Sequence, residues 1–258
     1  MKKKMVSVLL ASAMVLALTA CGKTEEAPVV EAVEEADEAV EEVAEAVEET
    51  VEAAAAESTG DVMSYADFVA ADVDTEVTVE TYVQAKQGWW EDKATLYTQN
   101  QEGAYFIYDM PISEEEYNKL VPGTKIKVTG FKSEWSGEIE IVDAKYEIVE
   151  GDTFVATATD VTDKLDKLED YMNQLVSFKD MTVKAVSYKN DQPGDDIYVT
   201  LTKDDKDYEF CLEYYLNGSD AALYETVGGL EEGQTVDVEG FLYWYEGPDA
   251  HITAITVK

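Results

Sequence analysis

The residues whose types and spacing suit chemistry are few. They are Cys21, six ring residues (Trp89, Trp90, Trp135, Tyr243, Trp244 and Tyr245), two runs of aspartate and a single histidine, His251. One histidine builds neither a His-based triad nor a multi-His zinc site. The runs Asp191, Asp195, Asp196 and Asp204, Asp205, Asp207 flank the segment Ile197–Lys203. Neither follows a calcium loop with a central Gly and a distal Glu, so both read as turn residues. Cys211 lies between Glu209 and Glu213, whose charges raise a thiol pKa, so it reads as a small strand residue and not a nucleophile. His251 opens the last strand and reads as a polar edge residue. The chain is therefore expected to be non-catalytic, with no cofactor and no metal site. A carboxylate-dependent hydrolase is the outlying alternative, because 56 acidic residues offer many pairs and single out none.

Charge narrows the partners. The formal net charge is −37 over 258 residues, and all 19 cations are Lys. Fifteen acids lie between residues 24 and 61 and four lysines precede 24, which leaves 41 acids against 15 lysines in the remainder. Nucleic-acid binding draws on Lys/Arg neutralisation of phosphate and on Arg forks to bases. The charge balance leads to an expectation of no nucleic acid among the partners.

Residues 1–20 carry a basic start (Lys2, Lys3, Lys4), an apolar stretch from Met5 to Leu18 and small residues before Cys21. This is the form of an export signal, too short for a finished transmembrane helix. The run Leu18-Thr19-Ala20-Cys21 resembles the lipobox of bacterial lipoproteins. The resemblance implies cleavage before Cys21, lipidation of its thiol and a protein held by that anchor on the extracytoplasmic face of a bacterial cell membrane. Two or three acyl chains make such an anchor stable, at about 0.8 kcal/mol per buried methylene. With Cys21 consumed, Cys211 is left without a disulfide partner.

Residues 21–61 are an acidic Glu/Ala/Val stalk without aromatics, which cannot form a core of its own. Val33, Ala36, Val40, Val43, Val47, Thr50 and Ala54 recur at three-then-four spacing. That narrow stripe, flanked by Glu, predicts a flexible or partly helical spacer, with a dimerisation helix as the sharper alternative.

The rest repeats. Gly123, Ile126, Val128, Gly130, Phe131 and Gly137 match Gly233, Val236, Val238, Gly240, Phe241 and Gly247 at an offset of 110, and Trp135 falls on Tyr245. Two copies of one unit are implied, over 62–151 and 152–258. Each copy reads as three strands, a short helix and two strands. In the first, Ser113-Glu114-Glu115-Glu116 is a capping box. In the second, the third strand is expected over 207–215 and the helix after Ser219. Gly130 and Gly240 fall mid-strand, where a small barrel needs a bulge or bend. This order resembles tandem OB-fold-like domains of exported bacterial lipoproteins. It implies a mainly β chain with two tandem five-stranded barrels, each with a short helix between strands 3 and 4.

On that scheme the loops after strands 1 and 4 flank one face of each barrel. The six ring residues fall at those loops, as a stacking surface for a glycan, peptide or protein partner, or as caps and inter-domain packing. The functional expectation is a lipid-anchored binding protein, with a structural subunit of an envelope complex as the alternative.

Overall fold

The computed structural model describes residues 61–218 and 220–258; the leader, Cys21, the stalk up to residue 60 and Ser219 lie outside the described residues. After a short helix α1 (Tyr65–Ala70), strands β1 (Glu76–Lys86), β2 (Lys93–Gln99), β3 (Ala104–Pro111), β4 (Lys125–Trp135) and β5 (Glu138–Ile148) form a closed barrel in the order β1-β2-β3-β5-β4. Helix α2 (Glu114–Lys119) joins β3 to β4. The Ser113 hydroxyl accepts from the Glu116 backbone N–H at 3.3 Å, the capping half of the motif legible in sequence.

The second barrel repeats the plan. A two-residue strand β6 (Thr159–Asp160) lies beside β7 (Leu175–Tyr188), which is followed by β8 (Ile197–Lys203), β9 (Lys206–Leu212), β10 (Thr235–Trp244) and β11 (Pro248–Val257). β10 pairs with β7 and closes the sheet. Helices α3 (Tyr214–Asn217) and α4 (Ala221–Gly228) stand between β9 and β10. In both barrels the third and fifth strands pair in parallel and the other pairs among the five barrel strands are antiparallel, while the short β6 lies parallel to β7. The chain is thus mainly β, two closed five-stranded barrels of the OB type.

Alternating side chains explain each barrel. In β4, Ile126 and Val128 are buried while Lys125, Lys127 and Thr129 face out, the period of a half-buried strand. One core gathers Val79, Leu96, Ile107, Ile126 and Ile141. The other gathers Val176, Phe178, Val199, Leu201, Phe210 and Val238.

The mid-strand glycines sit where the sheet bends hardest. The β4–β5 register shifts between Thr129 and Phe131, and Asp143 of β5 adopts φ 49 beside the shift. A Cβ on Gly130 would lie 2.7 Å from both Ile141 Cγ2 and the Val142 carbonyl. The β10–β11 register shifts at Gly240, where a Cβ would meet the His251 carbonyl oxygen at 2.5 Å. No L side chain fits either place without moving the neighbouring strand.

One boundary differs from the sequence expectation. The strand expected to run to Tyr215 ends at Leu212. The Glu213 carboxylate accepts the Leu216 N–H at 2.5 Å and starts α3, so Tyr214 and Tyr215 leave the sheet. A local side-chain cap outweighs the aromatic strand propensity of those residues.

The barrels meet along a dry aromatic seam. Tyr97 and Phe106 are cross-strand partners on β2 and β3, and Phe241 and His251 are partners on β10 and β11. Tyr97 stacks on Phe241 at 4.8 Å, Phe106 meets Tyr243 edge-on at 5.3 Å, and Tyr243 stacks on His251 at 4.4 Å. His251 is thus a buried seam residue and not the edge residue expected from sequence, because the other barrel covers its strand face. Burial holds its imidazole down to about 3 and holds the Tyr97 phenol well above its ordinary value. Both groups stay neutral, and the Tyr97 hydroxyl and His251 Nδ1 share a hydrogen bond of 2.6 Å.

Two outcomes follow. Gly130→Ala and Gly240→Ala each lower the unfolding free energy by about 1–3 kcal/mol through overpacking, read as a lower urea midpoint at unchanged slope. Tyr97→Phe, which leaves His251 Nδ1 buried without its hydrogen-bond partner, costs about 1–3 kcal/mol in the same measurement.

Candidate functional site

The six ring residues singled out in the sequence separate into two groups. Trp135, Tyr243, Trp244 and Tyr245 come together where the tips of two corresponding hairpins meet, β4–β5 of the first barrel and β10–β11 of the second. Trp135 and Tyr245 lie 5.3 Å apart in a tilted stack and both remain about half exposed. The Glu246 N–H donates to the Ser136 carbonyl at 2.8 Å. Gly137 turns at φ +95, and a Cβ there would fall 2.7 Å from Trp244 Cδ1, so this turn needs glycine twice over. Tyr243 belongs to the aromatic seam and Trp244 packs on the second core.

A buried carboxyl anchors this junction. Glu138 is fully buried, and its Oε2 accepts the Trp244 backbone N–H at 2.9 Å. Its Oε1 has no partner among the described residues, and neither has Asn173 Oδ1, while Asn173 Nδ2 donates to the Ile139 carbonyl at 3.1 Å. Burial pushes the Glu138 carboxyl up to about 8, with the charge of Glu140 adding to the rise and the nearby Asn173 amide and the bond from the Trp244 backbone opposing it. It is protonated at neutral pH, which is how a carboxyl persists in so dry a place.

Trp89 and Trp90 lie at the other loop, between β1 and β2, and face different surroundings. Trp89 packs on the first core and its Nε1 donates to the Ile112 carbonyl at 2.9 Å. Trp90 is 68% exposed. It heads the tip Trp90-Glu91-Asp92-Lys93, whose central residues hold φ 49 and φ 57, the left-handed pair of a two-residue hairpin. The Ile112 N–H donates to the Asp92 carbonyl at 2.8 Å and ties the tip to the barrel. The buried indole is therefore the foot and the exposed one the presented ring.

Beside Trp90 opens a cleft of about 310 Å³ whose lining includes Gln87, Lys93, Asp109 and Tyr215. Tyr215, 59% exposed, comes from the second barrel, and its carbonyl accepts the Gly88 N–H at 2.7 Å. Lys93 Nζ and Asp109 Oδ2 pair at 3.1 Å, both partly exposed. Asp109 sits at φ 48, and its N–H donates to the Thr95 hydroxyl at 3.2 Å. Sequence reasoning missed Tyr215 and the Lys93–Asp109 pair. Tyr215 read as strand, and the pair forms only when β2 and β3 are zipped.

The remaining candidates read from the sequence have structural places. Asp204 and Asp205 occupy a turn at φ 51 and φ 61; Asp196 and Asp195 pair with Lys189, and Asp207 with Lys184. Burial raises the Cys211 thiol above its ordinary range, so it stays protonated. Among the described residues no group of three or more His, Cys, Asp or Glu side chains is arranged to hold a metal ion.

Glu138 gives a pH signature. Its folded value lies above the ordinary 4.5, so the folded state keeps a proton that the unfolded chain releases. Stability from this group is intact below about pH 4.5 and is lost as pH rises to about 8. Glu138→Gln, the shape of the protonated acid, flattens that fall. Its urea midpoint exceeds the parent's at about pH 8 and converges with it near about pH 4.

No protein-family model matches the sequence, and no curated protein matches it. Solved structures do match in fold. One is described as a murine DNA binding protein bound with double-stranded DNA, at 13% identity and TM-score 0.37, covering 70% of this chain and 94% of that one. A second is the p204 HINb domain, at 13% identity and TM-score 0.34, covering 73% of this chain and 100% of that one. A third is a replication protein A heterotrimer bound to single-stranded DNA, at 13% identity and TM-score 0.31, covering 71% of this chain and 49% of that one. The exclusion of nucleic acid read from the sequence is corrected by these matches, two of which are described as bound to DNA. Its physical error was to let the charge of a whole chain stand for one local face, where stacking is indifferent to net charge. At these identities and scores the likeness is one of fold.

Proposed function

We propose that this is a lipid-anchored, non-catalytic binding protein of the extracytoplasmic face of a bacterial membrane, taking a glycan, peptide or protein partner at the Trp90–Tyr215 cleft. The carrying observation is that two exposed rings, one from each barrel, flank a recess with a polar lining on a rigid frame. Exposed aromatics that line a recess mark a contact surface. The leader supports the anchoring half, through Leu18-Thr19-Ala20-Cys21. Among the described residues no helix is long and apolar enough to cross a membrane.

Under this reading the native protein incorporates labelled palmitate and runs as the cleaved form in a bacterial host. Cys21→Ala takes up no label and accumulates as the longer precursor. A native chain that is neither labelled nor cleaved rules the anchor out. Cross-linking in cells that yields one dominant protein partner, unchanged by Trp90→Ala, moves the assignment to an envelope assembly subunit.

A further inference from the structure

The cleft's lining has a chemistry of its own. Trp90 and Tyr215 offer large flat apolar faces. Lys93 and Asp109 place an ammonium beside a carboxylate, so donors and acceptors stand side by side at 3.1 Å. The Lys93 ammonium has three donors, and the Asp109 carboxylate and the Gln87 amide oxygen add acceptors. Glu91 is the remaining charge. The lining thus holds one ammonium and two carboxylates, with Lys93 and Asp109 neutralising each other, and that mixture selects among ligands. A cation entering it meets Lys93. A polyanion entering it meets Glu91 and Asp109. A neutral ligand whose hydroxyls both donate and accept suits it, one hydroxyl giving its hydrogen to Asp109 and its neighbour receiving from Lys93. A pyranose ring adds the second requirement, an apolar C–H face for an aromatic ring.

From this lining, and resting on the reading of the cleft as the binding site, we propose that it takes a neutral pyranose oligosaccharide, stacked on Trp90 and Tyr215 and hydrogen-bonded by Lys93 and Asp109. The frame is preorganised for such a ligand. Trp90 and Lys93 exchange backbone hydrogen bonds at 3.3 and 3.0 Å across the tip. The Tyr215 backbone is held by Gly88, so neither wall needs to be ordered on binding.

The experiment is titration of the full chain in detergent solution, read by calorimetry and tryptophan fluorescence. The probes are the neutral oligosaccharides chitohexaose, cellohexaose and maltohexaose, with hexagalacturonate, hexalysine and an oligothymidylate as the charged arms. At least one neutral oligosaccharide binds saturably, and its affinity changes less than about twofold between about 50 and about 500 mM NaCl. Trp90→Ala, a change at an exposed side chain, weakens it by about tenfold or more, and Tyr215→Ala by several-fold. Asp109→Asn, which tolerates the same backbone, weakens it several-fold with little change in salt dependence. Trp135→Phe, at the hairpin junction, leaves it within about twofold. If hexalysine, hexagalacturonate or the oligothymidylate binds in a Trp90-dependent way and no neutral oligosaccharide does, the sugar assignment is overturned while the cleft stands as a binding site. If Trp90→Ala alters binding of none of the probes, both the assignment and the cleft reading fall.

Discussion

The arrangement of this molecule depends on one face-to-face contact, the pair Tyr97–Phe106 of the first barrel laid against Phe241, Tyr243 and His251 of the second. Two outward sheet faces, which water would cover in separate domains, are dry here. The polar edge inside the contact is satisfied by a hydrogen bond between the Tyr97 hydroxyl and His251. Around it, Gln99 Oε1 accepts the Leu175 N–H and Gln84 holds the connecting segment at Phe154 and Ala156. The cleft at Trp90 follows from this contact, since Tyr215 reaches the first barrel only when the barrels are locked.

The duplication carries this contact in one direction only. By the pairing of the third and fifth strands, Glu209 opposite Asp249 holds the place that Phe106 opposite Glu140 holds in the first barrel. Glu209 pairs with Thr200, as Phe106 pairs with Tyr97, and the two are joined by an exposed hydrogen bond at 3.1 Å. The second barrel thus shows a polar pair where the first shows two rings.

Much of the architecture was legible because it is imposed by local rules. A strand in a small closed sheet alternates, bends at glycine and turns at left-handed residues, and each rule leaves a residue behind: Ile126 and Val128, Gly130, Gly137. The helix after β3 announced itself through Ser113. The third strand of the second barrel was misjudged at its end, because Glu213 was read as one more strand residue and acts as a cap. The site was half legible. Trp90 was found as a loop aromatic, whereas its close neighbour in sequence, Trp89, is indistinguishable from it until the Ile112 carbonyl claims the indole N–H. Trp135, Trp244 and Tyr245 were placed at loop tips, but Trp135 and Tyr245 stack on each other and Trp244 packs on the second core.

By itself the sequence determined the repeat and the closed five-stranded units, because these are properties of periodicity and of contiguous motifs. Tertiary structure alone decided that His251 is buried and neutral, that Glu138 keeps its proton, and that Tyr215 and Trp90 flank one recess. Each of those depends on which surface of one barrel excludes water from the other, and desolvation is a property of position in space that spacing along a chain does not encode.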